Sequence, residues 1–315
     1  PGSALKPFVY ALALERGLAT AATELPDIQV EFPDHRGRAY VPRNITHTFL
    51  GPMLLREALA NSRNIPALRM LAAVGVEPAL RFFQGAGVEG VSYNPDRYGL
   101  GLALGNLNVT PEELVGLYAV LANRGITLPF KFFVDQPARR GQRLLSPGTA
   151  GLVAHILADP VARTPSFRRG GALEYDYAVA IKTGTSQGYR DAWAVAFSDR
   201  LLVGVWVGNH DWRRMNHLGG LAGAAGAVHR VMDTLMPHHR PHESVLAEFP
   251  APAGYAARAI CPLSGKLAGP ACPHSRVEYF KPGTEPVESC RWHKNIAIDS
   301  RNGLLAHGDC PAQFT

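Results

Sequence analysis

Three features of this 315-residue chain predict an α+β fold. Residues 4 to about 160 are patterned mainly as helices. Three short apolar runs between 177 and 207 read as an antiparallel meander. One more helical stretch then follows, placed to cover that sheet. With 46% hydrophobic and 18% charged residues, the chain has the composition of about two globular domains, each able to bury a core.

The elements follow in order. Ser3 opens a helical stretch over 4–18, with Pro7 near its first turn, where a missing N–H costs little. A second helix over 53–60 is interrupted by Ser62-Arg63-Asn64 and resumes over 65–74. Thr110-Pro111-Glu112-Glu113 is a helix start, with Thr as N-cap, Pro at N1 and Glu at N3, and that helix should end near Asn123, before Gly125. Ser146-Pro147 starts another, which stops before Pro160. The runs 177–183, 192–197 and 201–207 are short, apolar and partly β-branched, and Ser198-Asp199-Arg200 joins the last two. A helix over 221–236 comes next. Pro237, Pro241, Pro250 and Pro252 then mark a linker. Composition shifts beyond it, so the expected domains are 1–240 and 241–315. There is no internal repeat.

The formal net charge is +6, which suits a soluble Arg-rich surface or attraction to anionic polymers and lipid headgroups. No run of basic residues with interleaved aromatics points to nucleic acid. No segment reaches the roughly 18 apolar residues of a membrane span, and no signal peptide is present. The chain begins Pro1-Gly2-Ser3 without an initiator Met. It therefore reads as a fragment whose targeting signals lie elsewhere.

Three strings carry chemistry: Ser3-Ala4-Leu5-Lys6, Ser62-Arg63-Asn64 and Lys182-Thr183-Gly184-Thr185. In the order S-x-x-K, S-x-N, K-T-G they form the motif set of active-site serine acyltransferases. Three residues apart on a helix, Ser3 and Lys6 share a face. Lys6 can act as a base only when its amine is neutral, which burial and a second nearby cation, Lys182, would favour. Ser62 can relay a proton between Lys6 and a leaving amine. Asn64 offers an amide donor and acceptor to a peptide backbone. Lys182, Thr183 and Thr185 suit a terminal carboxylate, and Gly184 lets a substrate backbone approach. The backbone N–H groups of Ser3 and Thr185 can form an oxyanion hole. Each string alone also has an ordinary reading: an N-cap serine with a solvated lysine, a turn, and an edge strand ending in a turn.

On these residues the chain resembles the transpeptidase domain of class A, bifunctional penicillin-binding proteins. The likeness extends over Pro1-Gly2-Ser3-Ala4-Leu5-Lys6-Pro7-Phe8, over 100–125 with Gly105 and Val109-Thr110-Pro111, and over 182–193 and 203–209 with Arg190-Asp191-Ala192-Trp193. It continues into a tail containing Tyr279-Phe280-Lys281-Pro282-Gly283-Thr284-Glu285-Pro286. The resemblance implies a β-lactamase/transpeptidase-like α+β fold: an antiparallel sheet flanked by helices, an all-helical subdomain, then a small Cys-bearing loop-rich module. It implies Ser3 as acylated nucleophile, Lys6 as base, Ser62 and Asn64 as the second element, and Lys182, Thr183 and Thr185 as the carboxylate site. The implied reaction cross-links D-Ala-D-Ala stem peptides of peptidoglycan without a cofactor or a catalytic metal, and β-lactams acylate the same serine. Implied partners are stem peptides, β-lactams, other cell-wall synthesis proteins and the membrane, through an N-terminal anchor upstream. The implied location is the periplasmic face of the bacterial inner membrane. A glycosyltransferase domain and the first strands of the sheet are also expected upstream, so a sheet edge should be exposed here. Gln187 stands where the resemblance leads us to expect an aromatic residue.

Cys261, Cys272, Cys290 and Cys310 all lie in the tail. Four cysteines allow three pairings. In an exported module they read as two disulfides, with a zinc site using Cys290 and His293 at C-x-x-H spacing, or free thiols, as the alternatives. Two other functions compete with the transpeptidase: a β-lactam-binding sensor or non-catalytic cell-wall scaffold, and a β-lactamase. The last needs a Glu to activate deacylating water, and Glu77, Glu89, Asp96, Glu112 and Glu113 lack that context.

Overall fold

The computed structural model describes the chain except residues 34–38, 93, 138–139, 239–247, 307, 309–312 and 315. A 3-10 turn, Gly2–Leu5, leads into helix α1, Lys6–Glu15, and all of α1 but Glu15 is buried. The helix is apolar nearly all round, the pattern of one enclosed by neighbours. Strands β1 (Glu24–Asp27), β2 (Phe32–Pro33), β3 (Ala39–Tyr40) and β4 (Gly51–Leu54) follow, with β1 antiparallel to β4 and β2 to β3. Next come helices α2 (Leu55–Ala60), α3 (Asn64–Val74), α4 (Val76–Gly85), α5 (Pro111–Ala122) and α6 (Pro147–Ala158). The main sheet is the expected antiparallel meander, β5 (Ala180–Thr185), β6 (Asp191–Phe197) and β7 (Leu202–Gly208), in that spatial order. A π-helical turn, Leu221–Ala225, runs into α7, Gly226–Leu235. The tail carries β8 (Ala256–Ile260) paired with β9 (Arg276–Phe280), and β10 (Ile298–Asp299) paired with β11 (Gln313–Phe314).

The sheet lies between two apolar layers. On one face Ala180, Trp193, Val195 and Phe197 pack with residues of α1, α3, α5 and α6. On the other, Ile181, Ala194 and Ala196 pack with Ala224, Ala225, Val228 and Met232. Phe8 of α1 meets Tyr118 of α5 edge to face at 5.2 Å and Phe83 of α4 at 6.2 Å. The Tyr118 hydroxyl donates to the Ala4 carbonyl at 2.8 Å, tying α5 to the turn that carries Ser3. Among the described residues, β7 has no strand on its outer side.

Several boundaries depart from expectation. Helix α1 ends at Glu15, because Gly17 takes φ 67 and the N–H groups of Gly17 and Leu18 close onto Leu14 and Ala13. Met53 and Leu54 belong to β4 rather than to a helix, since pairing with β1 holds them extended. The helix expected from 221 begins as a π turn, where Ala224 and Ala225 pack on the sheet. The capping box Thr110/Glu113 forms as expected. The expected domain boundary at 240/241 lies outside the described residues.

The tail is joined to the helical body through charge. Arg56 of α2, with 1% exposure, donates from Nε and Nη2 to both carboxylate oxygens of the fully buried Glu278 of β9, each at 2.6 Å. Asp159 adds a contact to Arg56 at 3.3 Å. The two disulfides expected in the tail are not formed among the described residues: Cys261, Cys272 and Cys290 carry free thiols, and Cys310 lies outside the described residues.

Removing one partner of a buried pair strands the other charge away from water. Glu278→Ala is therefore expected to destabilise the protein by about 3–5 kcal/mol. Denaturant unfolding followed by fluorescence checks this; an unchanged midpoint would contradict the joint.

Candidate active site

The three motifs converge because backbone packs on backbone. Gly2 has φ +58, and a Cβ built on it would lie 2.1 Å from the Thr185 carbonyl oxygen. A Cβ on Gly184 would lie 2.1 Å from the Pro1 carbonyl oxygen and 3.0 Å from the Ala4 nitrogen. One on Gly105 would strike the Gly2 backbone within 2.4 Å. Only side-chain-free positions let the serine turn press on the edge strand β5 this closely.

Ser62 is placed by the end of α2. Asn61 is the C-cap, and the N–H of Ser62 donates to Leu59 and that of Arg63 to Ala58, closing a Schellman motif. Gly17 fills the corresponding left-handed position after α1, whereas here it is Ser62, φ 56. A non-glycine residue in that region stores strain, and such strain concentrates at functional sites. The hydroxyl it presents is the one both lysines reach. Lys182 Nζ donates to Ser62 Oγ at 2.8 Å. Lys6 Nζ lies 3.5 Å from Ser62 Oγ and donates to the Ser62 carbonyl at 2.5 Å and to Asn64 Oδ1 at 2.6 Å.

Lys6 is 0% exposed and Lys182 is 4% exposed. Among the described residues, neither has a carboxylate partner. Burial and then the charge of Lys182, with Arg63 adding to it, hold the Lys6 pKa well below the ordinary lysine range, against an opposing pull from Asp27. Burial and Arg163 bring Lys182 down to about 7. Lys6 Nζ thus has two close acceptors, the Ser62 carbonyl and Asn64 Oδ1, beside its longer approach to Ser62 Oγ.

Strand alternation divides the third motif. Ala180 and Gly184 face the α1 side, and Lys182 shares their parity. Thr185 faces the π turn, where its Oγ1 accepts the Gly220 N–H at 2.9 Å. Ser3, Ser62, Thr183, Gly184 and Thr185 all line one cleft of about 320 Å³. Asn64 departs from the substrate-facing part expected of it. Its Oδ1 holds Lys6, its Nδ2 donates to the Arg43 carbonyl at 2.7 Å, and its backbone N–H donates to Asn44 Oδ1 at 2.8 Å. Asn44 and Thr46 line the cleft instead. Gln187 is exposed in a turn, and the aromatic ring on this side is Tyr189, φ 56, in edge contact with His217 at 5.1 Å.

Supporting residues escaped the motif reading. Buried Asp27 accepts from Arg63 Nε at 2.7 Å, Asn44 Nδ2 at 2.8 Å and the Leu50 N–H at 2.9 Å, fixing the 44–50 loop against Ser62-Arg63-Asn64. Nothing local in the sequence marks Asp27. The Gly219-Gly220 pair was the one legible signal: a Cβ on Gly220 would sit 2.4 Å from the Gly184 carbonyl oxygen.

A serine turn on a sheet edge, with two buried lysines sharing a second serine, defines a serine acyl-transfer domain of the penicillin-recognising class. Residues 1–208 match the family described as penicillin binding protein transpeptidase domain, and the chain belongs to that family. Residues 251–295 match penicillin-binding protein 1A, C-terminal domain. Penicillin-binding protein 1C of Escherichia coli K12 is 33% identical over 261 residues, 83% of this chain and 32% of that protein. Penicillin-binding protein 1A of Clostridium tetani is 28% identical, covering 94% of this chain and 40% of that one. In fold, the chain is similar to the crystal structure of penicillin-binding protein 1A from Haemophilus influenzae, with a TM-score of 0.76 at 24% identity over 92% of this chain and 48% of that one. The chain thus spans between about a third and two fifths of the length of these curated relatives.

Gly2→Ala tests the backbone contact. Its Cβ must displace the serine turn from Thr185, and a shift near 1 Å costs roughly 100-fold in rate. Labelling with a fluorescent penicillin is expected to slow by that order; wild-type labelling would contradict the close approach.

Proposed function

We propose that this chain is the D,D-transpeptidase module of a bifunctional peptidoglycan synthase, acting from the periplasmic face of the bacterial inner membrane. The observation that carries the reading is the meeting of Lys6 and Lys182 at Ser62, on the wall of the cleft that also holds Ser3. Ser3 Oγ attacks the carbonyl of the penultimate D-Ala of a donor stem peptide, and neutral Lys6 takes its proton. The N–H groups of Ser3 and Thr185 hold the oxyanion. Ser62, hydrogen-bonded to Lys182, relays that proton from Lys6 to the departing D-Ala amine, so that Ser62 ends as it began. Thr183 and Thr185, on the cleft wall, receive the terminal carboxylate, and Lys182, buried behind them at Ser62, supplies the positive charge of that site. The acyl group on Ser3 then passes to an amine of a neighbouring stem peptide. A β-lactam enters by the same first step.

A slow return from the acyl state is supported by the cleft's lining. Among the described residues, no Asp or Glu lines it. Glu113 is committed to the N–H groups of Thr110 and Glu89, and Glu77 to Arg81. A β-lactamase would need such a carboxylate beside the ester. A sensor or scaffold lacks need of a base held neutral, and the Lys6 environment favours catalysis over it. A glycosyltransferase domain, a membrane anchor and contacts with other cell-wall proteins belong to the longer protein proposed here.

Two measurements test the reading. Incubation with a β-lactam followed by intact mass is expected to show one stable adduct, absent in Ser3→Ala. No adduct on folded protein, or full cellular function in Ser3→Ala, would move the assignment to the scaffold. The pH profile has a defined sign. The base form of Lys6 grows as pH rises through its lowered pKa, whereas the cation of Lys182 is lost above about 7. Acylation by a carboxylate-bearing β-lactam should therefore climb and then fall past neutrality. A rate that climbs steadily into the ordinary lysine range would remove Lys182 from the carboxylate site.

A further inference from the structure

The free thiols of the tail are gathered around one imidazole. Cys261, at the end of β8, Cys272, in the loop before β9, and Cys290, after β9, place their Sγ atoms 3.6, 3.5 and 3.4 Å from His293 Nδ1. All four ligating atoms lie within 4.8 Å of one another. We propose that Cys261, Cys272, Cys290 and His293 form a closed structural zinc site, remote in sequence from the three acyl-transfer motifs and independent of their chemistry.

The geometry matches the ion. With Zn–S near 2.3 Å and Zn–N near 2.0–2.1 Å, a tetrahedron has sulfur-to-nitrogen edges of roughly 3.5 Å, and the three observed separations bracket that length. Three thiolates and one imidazole favour Zn²⁺ over the hard cations, which take oxygen ligands. Each thiol releases its proton to solvent as it binds, so the occupied site carries one net negative charge. The Gly269 N–H already points at Cys272 Sγ, 3.4 Å away, as a donor that steadies a metal-bound thiolate does. Four protein ligands leave no open position, so the ion holds structure rather than reacting with substrate.

The surrounding backbone is folded for the same purpose. Cys261 opens a turn in which its N–H donates to the Lys266 carbonyl and its carbonyl accepts from Gly265. Leu267 then pairs with the segment before Cys290, whose N–H donates to the Leu267 carbonyl at 2.8 Å. This brings three separated loops to one point. Beyond Phe249, Tyr255 and Tyr279, half-buried against the main core, and the ion pairs of Arg276 with Glu57 and of Arg56 with Glu278, the segment has little apolar support. Its deeply buried apolar side chains, Ile260 and Phe280, belong to a small cluster completed by Ala22 and Leu54 of the body. A module of this size without a large core ordinarily needs a metal or disulfides, and here the sulfurs are unpaired.

The test uses the full chain, purified after zinc exposure and dialysed against metal-free buffer. Elemental mass spectrometry is expected to find about one zinc per chain, falling roughly tenfold or more in Cys272→Ser and in His293→Ala. Co²⁺ exchanged into the wild-type protein should give thiolate charge-transfer bands and the intense visible bands of a tetrahedral centre, a readout that does not depend on whether the variants fold. Less than about a tenth of a zinc per chain with no tetrahedral cobalt spectrum would overturn the proposal. So would mapping of a disulfide between any two of Cys261, Cys272 and Cys290 in protein isolated from its own compartment.

Discussion

Two lysines taken out of water at one serine are the constraint around which the rest is arranged. Coulomb repulsion between close cations grows as the medium dries, and among the described residues Lys6 and Lys182 both reach the Ser62 hydroxyl without a carboxylate beside them. In the proposed reaction Lys6, held well below the ordinary lysine range, is the base, and Lys182, brought down to about 7, meets the anionic substrate while it keeps its proton. Asp27 pairs with Arg63 close by, whereas Lys6 and Lys182 have no carboxylate partner among the described residues. A carboxylate paired with Lys6 would raise its pKa and oppose the base role proposed for it.

That arrangement requires α1 to be both rigid and central. It is enclosed by α3, α5, α6 and the sheet, and Tyr118 holds the carbonyl of Ala4 beside Ser3. Glycines at 2, 105 and 184 then let three backbone segments touch where any side chain would part them. The left-handed Ser62 pushes the other way: a hydroxyl is kept where glycine would relax the turn. Small residues are used where proximity matters, and a strained polar one where chemistry does.

The tail shows a different economy of means. It meets the body through the buried Arg56–Glu278 pair, a small apolar cluster and the half-buried rings of Phe249, Tyr255 and Tyr279, and its own loops close around three thiols and an imidazole. Directional bonds replace the area that so short a segment cannot bury.

The chain's local patterns were enough for the α+β class, the β5–β7 meander and the helix starts at Thr110 and Ser146, because caps, turns and two-residue alternation are set by neighbours in sequence. The three motifs likewise pointed to Ser3, Lys6, Ser62 and the β5 residues, which the fold brings to one region. Other features depended on distant groups. Helix α4 and the β1–β4 pair went unread, and Met53 and Leu54 became strand, since pairing with β1 overrides their helical pattern. Asn64 turned inward to hold Lys6, because the buried amine needs acceptors and one stands 58 residues away in sequence. Asp27 carried no local mark. The cysteines are the sharpest case. Spacing alone allowed disulfides, zinc or free thiols, and only the folding of three loops onto His293 brought all four ligands to one point. Composition and short-range order determined which residues could do chemistry; the three-dimensional packing decided which charges survive, since burial and proximity are properties of the folded chain.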